Sequence, residues 1–160
     1  MAQPKTNAMR ILERGKIPYE MLTYPVTEEH QDGVSVAEMM NEDPAMVFKT
    51  LVCQGSSRAY FVFSIPVAEE LDLKKAARVS GEKSMELMPM KDLTKVTGYI
   101  RGGCSPVGMK KLFPTWFHAS AEELPQMIVS GGKRGFQIKA EPHQLASACN
   151  AQFADVIHHS

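Results

Sequence analysis

The sequence predicts an α+β fold, a curved mixed sheet or barrel within one domain spanning residues 1–160. Three observations lead there. Short runs with strand character are interspersed with short capped helical stretches, and the regular rhythm of βαβ units is missing. Two of the runs, KTLVCQ (49–54) and RAYFVFSIP (58–66), are separated only by Gly55, Ser56 and Ser57, so they form a hairpin buried on at least one side. A chain of 160 residues, 44% hydrophobic and 22% charged, can bury one core but hardly two.

The elements follow in order. Ala8, Ile11 and Leu12 share a helical face; Thr6 or Asn7 can cap its start and Gly15 can end it. Tyr19 to Tyr24 reads as a strand that stops at Pro25, and residues 25 to 34 form a polar connection. Ser35 and Glu38 have capping-box spacing and open a short Met-rich helix, and Asp43-Pro44 suggests a second helix start. After the hairpin, Asp72 caps a helix through LKKAAR that Gly81 follows. Met85 to Met88 is ambiguous, and residues 91 to 97 give one or two helical turns. Trp116 and Phe117 suggest a strand, and Ser120 and Glu123 repeat the capping-box spacing. Met127 to Val129 is a short strand running into SGGKRG (130–135), Phe136 to Lys139 returns as a strand, and Leu145 to Cys149 belongs to a last helix. There is no internal repeat and no linker.

Composition narrows the function. Lys and Arg total 18, as do Asp and Glu, so the net charge is zero. A protein that grips nucleic acid alone usually carries a basic excess, so strong independent binding is not expected. The three cysteines, Cys53, Cys104 and Cys149, form no CxxC pair and fit a reducing cytoplasm better than a disulfide scaffold. No apolar run suits a signal peptide or a membrane span, so a cytoplasmic protein with no membrane partner is expected.

Three segments could carry chemistry: Phe48-Lys49-Thr50, Arg101 to Gly108, and Ser130 to Gly135. The last two are glycine-rich turns at strand ends, where backbone N–H groups can converge on a phosphate, a carboxylate or a developing oxyanion. Such turns are more often only turns, and neither matches a P-loop or GxGxxG. Lys49, between Phe48 and an apolar strand, can be half buried and hold an ester carbonyl or phosphate, or be a solvated edge lysine. Strand alternation expects only one of Lys49 and Thr50 to reach a given face. Cys104 lacks a recognisable histidine base, and Ser130 lacks a GxSxG elbow. His158 and His159 fall at the C-terminus, where disorder is the default. No Cys/His cluster supports a metal, and no cofactor is expected. The eleven methionines read as core filler.

Taken together, TNAMRIL (6–12) with Ile17-Pro18-Tyr19, VFKTLV (47–52), IPV with LDLKKAA (65–77), TGYIRGGCSPVGMKK (97–111) and VSGGKRGFQI (129–138) resemble the YbaK family of aminoacyl-tRNA deacylases, relatives of the editing domain of bacterial prolyl-tRNA synthetases. The resemblance runs through nearly the whole chain. It implies a mixed, partly barrel-like sheet with flanking helices. It also implies removal of a wrongly attached amino acid from tRNA, with Cys-tRNA(Pro) the foremost substrate. Lys49 matches the family's key lysine, and Tyr19, Thr50, Gly102, Gly103, Ser130 and Gly131 match positions around its substrate cleft. The aromatic-Gly and Leu-Gly pairs expected around residues 32 to 41 are absent, and Met39-Met40-Asn41 replaces the second.

An aminoacyl ester is already activated. A cysteine substrate carries its own thiol, which can attack its own carbonyl and leave as a thiolactone, with no protein nucleophile. The implied partners are mischarged tRNA, prolyl-tRNA synthetase and no DNA. The alternatives are hydrolysis of another small amino acid, alanine or serine, from tRNA, and a non-catalytic synthetase-binding module.

Overall fold

In a computed structural model, which describes residues 5–29 and 31–158, the chain folds into two antiparallel-rich sheets joined edge to edge. The three-stranded sheet contains β1 (Glu20–Thr23), β6 (Met127–Ser130) and β7 (Phe136–Ala140), with β7 central. The five-stranded sheet runs β4 (Met85–Leu87), β2 (Phe48–Gly55), β3 (Tyr60–Pro66), β5 (Thr115–His118) and β8 (Ala151–Ala154). One isolated parallel bridge, Val47 with Ile128, ties the sheets together. The α+β class is as expected. The mixed sheets with flanking helices are as expected too, and the sheets meet without closing into a barrel.

The hairpin of β2 and β3 is the longest ladder, with seven paired positions from Phe48–Pro66 to Gln54–Tyr60. Its β-branched and aromatic residues bury both faces. Phe61, Phe63 and Ile65 pack with Trp116, whose ring stacks on Phe63 at 5.4 Å, beneath α3 (Leu73–Ser80). Asp72 caps α3 by accepting from the N–H groups of Lys74 and Lys75, and Gly81 ends it in the left-handed conformation. A second core lies between α1 (Asn7–Arg14), the three-stranded sheet and α5 (Pro142–Cys149), centred on Leu12, Phe117, Met127, Ile138 and Leu145. Thr6 is the cap of α1, its hydroxyl oxygen accepting from Met9 N–H at 3.2 Å.

Several local expectations are corrected. Tyr19 and Tyr24 flank β1 rather than belong to it. α2 (Gly33–Met39) starts before Ser35, because Asp32 accepts from Ser35 N–H at 2.8 Å. Asp43-Pro44 makes a single turn and no helix: Asp43 bonds Ala45 and Met46 N–H, and β2 begins at once. Ser120 and Glu123 sit in a 3-10 turn, Ala119–Glu123, with no side-chain cap. Met85–Leu87 resolves as a strand, and residues 90–97 as a 3-10 turn followed by α4 (Leu93–Thr97). β8 was not foreseen, and it pairs parallel to β5. His158 is placed, its N–H donating to Glu70 carbonyl at 3.0 Å, whereas His159 lies outside the described residues. No helix among the described residues is long and apolar enough to cross a membrane.

Candidate functional site

A cleft of about 670 Å³ opens where the two sheets meet. Its origin lies in the pairing of β2. On the edge away from β3, β4 pairs only with Cys53, Gln54 and Gly55, while the Val47–Ile128 bridge engages the other end. Between them the strand edge is open. Val62 N–H donates to Pro114, so its antiparallel partner Val52 turns its own peptide groups away from β3; Val52 carbonyl indeed accepts from Met88 N–H at 3.0 Å. Thr50, two residues earlier, points its peptide N–H and C=O the same way, toward the gap.

Lys49 and Thr50 both line the cleft. The expectation that alternation would admit only one fails, because the cleft borders the edge of β2 rather than a face. Lys49 is half-buried, and its ammonium has no hydrogen bond or ion pair with any described residue. Thr50 Oγ1 lies 2.9 Å from Ser64 Oγ on β3, which fixes its rotamer. From the other sheet come Ser130 and its cross-strand partner Gln137, 9% and 6% exposed. Ser130 Oγ accepts from Gly132 N–H at 3.3 Å. Gln137 Oε1 is buried and has no hydrogen-bond partner among the described residues.

The glycine loops divide their roles. Gly102 lines the cleft with φ +86°, a conformation that strains any other residue. Gly103 does not line it. Its missing side chain lets the first loop pack on the second: a Cβ there would meet Lys133 Cα at 3.1 Å. Gly131 is likewise outside the lining, its N–H donating to Phe136 carbonyl at 2.9 Å to close the β6–β7 turn. Tyr19 is also away from the cleft. Its hydroxyl donates to Glu13 at 2.7 Å, and burial followed by that bond pushes its pKa up to about 12. The structure therefore gathers Lys49, Thr50, Gly102 and Ser130 and leaves Tyr19, Gly103 and Gly131 as framework.

Cys104 lines the apolar part of the cleft with Val52, Met88 and Leu93. Burial raises its thiol to about 12, with a weaker opposing contribution from the Thr97 hydroxyl. No histidine lines the cleft among the described residues. His118 accepts from Val156 N–H and faces Asp155 at 3.8 Å on another side of the molecule. No group of three or more His, Cys, Asp or Glu among the described residues could hold a metal. What remains is two cations, Lys49 and Arg101, the Asp32 carboxylate, the hydroxyls of Tyr24, Thr50 and Ser130, and backbone N–H groups around a space wide enough for a small-molecule-sized group. That set can polarise a carbonyl and stabilise an oxyanion, and it contains no activated nucleophile.

Sequence reasoning missed Gln31, Asp32 and Gln137, which line the cleft, and marked Arg101 only as the start of a glycine-rich segment. For Gln137 the signal was one of spacing: it follows the SGGKRG turn in a strand where alternate residues face Ser130.

Residues 27–148 match the model of the aminoacyl-tRNA editing domain. A protein of Enterococcus faecalis (strain ATCC 700802 / V583), EbsC, named as a candidate Cys-tRNA(Pro)/Cys-tRNA(Cys) deacylase, is 47% identical over 154 residues, 96% of this chain and 94% of the relative. The fold is shared with a candidate trans-editing enzyme for prolyl-tRNA synthetase, at TM-score 0.82 and 23% identity over 98% of this chain and 100% of the other. It is shared too with the hypothetical protein APE2540, at TM-score 0.85 and 17% identity over 96% and 100%. By the span of the domain match and by its likeness to EbsC along nearly its whole length, the chain belongs to the aminoacyl-tRNA editing domain family.

Proposed function

We propose that this protein is a trans-editing deacylase that clears mischarged tRNA, with Cys-tRNA(Pro) its main substrate. The observation that carries the reading is the Lys49 ammonium, without a partner among the described residues, on the open edge of β2 in a cleft where the lining cysteine, Cys104, is held as a thiol. Lys49 takes the ester carbonyl, assisted by the Thr50 edge, Gly102 and Ser130. The substrate's thiol supplies the nucleophile. Its sulfur bonds to the carbonyl carbon, the bond from that carbon to the ribose oxygen breaks, and the thiol proton ends on the ribose hydroxyl. A thiolactone and intact tRNA leave. Holding the thiol and carbonyl in one folded conformer supplies part of the barrier reduction, up to roughly 7–11 kcal/mol at the limit.

The name of the relative EbsC joins two tRNAs through one amino acid, which favours recognition of cysteine over recognition of a particular tRNA body. The partner that presents the substrate is prolyl-tRNA synthetase, and the setting is the cytoplasm. A panel of tRNAs carrying labelled cysteine, alanine or serine tests the reading, with and without the synthetase. Release from Cys-tRNA(Pro) and Cys-tRNA(Cys), accelerated for the former by the synthetase at low enzyme concentration, is expected. Preferential release of alanine or serine would replace the cyclisation route with attack by water, and release of nothing would leave only a binding module.

A further inference from the structure

The zero net charge of the chain conceals a strong segregation. Residues 93–121 hold Lys95, Arg101, Lys110 and Lys111 and no acidic residue, and residues 124–140 hold Lys133, Arg134 and Lys139 and no acidic residue. The fold then brings the two stretches together. The backbone of Gly103 packs on Lys133, and the stem of Arg134 covers Gly102, where a Cβ would meet its Cγ at 3.3 Å. Lys110 lies over Gly98, and its ammonium donates to Lys95 carbonyl at 3.3 Å. Lys95, Arg101, Lys110, Lys111 and Lys133 are all exposed. Among the described residues, the four lysines have no acidic partner, unlike Lys5, Lys75 and Lys139, each held by a carboxylate. Arg101 and Gly102 carry this surface to the lip of the cleft. Two apolar side chains stand out beside the cations, Ile100 at 54% and Leu112 at 67% exposure.

We infer that the two stacked glycine loops form the surface that holds the phosphates of the tRNA acceptor end, with Lys95, Lys110, Lys111 and Lys133 as its contacts and the cleft beside it taking the terminal aminoacyl group. The inference rests on the deacylase reading, since the ester in the cleft is attached to the 3′ end of an RNA whose backbone must cross the cleft's rim. Four ammonium groups with no acidic partner among the described residues lower the cost of bringing it there, although Lys110 also bonds the Lys95 carbonyl and Lys133 lies over the Phe136 ring. Like-charged side chains repel one another, so a cluster without neutralising acids is stabilised by an anionic ligand and by little within the protein. The same surface explains how a neutral chain can orient tRNA: a handful of phosphate contacts gives weak, salt-sensitive binding that aligns the acceptor end, while tight capture is left to a partner.

The test measures binding of uncharged tRNA(Pro) and kcat/KM on Cys-tRNA(Pro) across a salt series, for the wild type and a Lys110→Gln/Lys111→Gln/Lys133→Gln variant. Each phosphate contact contributes about 0.7–0.9 to the slope of log affinity against log salt, so the variant is expected to lose about 2–3 from the slope and about tenfold or more in kcat/KM at low salt. Hydrolysis of 3′-cysteinyl-adenosine, which carries no phosphate, is expected to show no comparable loss. A Lys74→Gln/Lys83→Gln control, on and just after α3, is expected to keep the wild-type slope. An unchanged slope in the triple variant overturns the inference. So does an unchanged slope combined with loss of stimulation by the synthetase, which would assign the surface to an acidic protein face. If the wild type releases no cysteine from either ester, the deacylase reading fails, while the binding series on uncharged tRNA still decides the surface on its own.

Discussion

The guanidinium of Arg134 donates to the carbonyl oxygen of Thr27 at 3.0 Å, across 107 positions of sequence. The same Nη2 reaches Glu29 carbonyl at 3.3 Å and Gln31 Oε1 at 3.1 Å, and Gln31 in turn donates to Pro25 carbonyl at 2.8 Å. One side chain of the second glycine loop thus pins the polar connection that brings Gln31 and Asp32 to the cleft. Arg134→Ala is therefore expected to raise KM for the aminoacyl-tRNA about tenfold, or about 1.4 kcal/mol, with kcat changed much less. Arg134→Lys should recover only part, because the shorter lysine stem ends short of the position from which Nη2 reaches all three acceptors. Steady-state kinetics on both variants decide it. A fall in kcat alone would place Arg134 at the reacting atoms instead.

Lys49→Ala is expected to lower deacylation by about 100-fold or more, the scale of losing one oxyanion donor. Lys49 is half-buried and unpaired among the described residues, so thermal stability should stay within about 0.5 kcal/mol of wild type. Lys49→Arg should not restore full turnover, since a planar guanidinium cannot occupy the place of a compact ammonium. Near-wild-type turnover of Lys49→Ala would remove this residue from the mechanism.

Cys104→Ala is expected to retain most activity. Burial holds the Cys104 thiol up at about 12, so it supplies no thiolate near neutral pH. A substrate cysteine has a thiol near its ordinary value of about 8.5, so the rate on cysteinyl-tRNA should rise with pH through that region and level off above it. The inflection should persist in Cys104→Ala and vanish with a seryl or alanyl ester. Stability follows the opposite sense. Burial raises all three thiols, Cys53, Cys104 and Cys149, to about 12. Their contribution is fully present below the unfolded thiol value of about 8.5 and is lost as pH rises through the folded value, so denaturant midpoints should decline above about pH 9. A loss of activity of about 100-fold in Cys104→Ala, with normal melting, would point to covalent catalysis by the enzyme.

Much of the framework was legible because it is local. Asp72 with Gly81, Thr6 with Gly15, and the two runs of the β2–β3 hairpin each declare themselves within a short stretch of chain, although the hairpin connection is residues 56–59 rather than Gly55, Ser56 and Ser57. β8 did not: AQFA has little strand signal, and its conformation is imposed by the neighbouring β5 across 36 positions. Ser35 and Glu38 offered a plausible cap, but Asp32 sits three residues before Ser35 and takes its N–H with a carboxylate. Whether the mixed sheet closes is likewise non-local, since closure depends on strand edges meeting, and among the described residues Val47 and Ile128 form the bridge between the two sheets. In the site, Lys49, Thr50, Gly102 and Ser130 were visible as motif residues that also reach the cleft. Tyr19, Gly103 and Gly131 belong to the same motifs because they hold the walls together. Arg134 and Gln137 could be given roles only after the fold had set the loops and the β6–β7 register.

Gln137 combines two properties that set stability against function. It is 6% exposed, and its Oε1 is buried with no partner among the described residues. A buried acceptor left unpaired costs about 1–3 kcal/mol, so an apolar side chain of similar shape should be tolerated better by the fold. Gln137→Met is accordingly expected to stabilise the protein by about 1 kcal/mol, which raises Tm by about 2–4 °C for a chain of this size. The cost should appear in the cleft. Gln137 stands beside Ser130 in the β6–β7 register and lines the same space as Lys49, so a small rotation of its amide offers an acceptor to the α-ammonium of the aminoacyl group. Lys49, a cation, cannot do this. The variant should therefore lose about tenfold in kcat/KM, equivalent to one hydrogen bond to a charged group of about 1.4 kcal/mol. The loss should disappear for a substrate whose amine is acetylated, because the ammonium is gone while the ester is retained. Melting curves and single-turnover rates on the two substrates separate the outcomes. A more stable variant of unchanged activity would make Gln137 an incidental polar residue, and a less stable one would mean that its amide is already satisfied by water in the free protein.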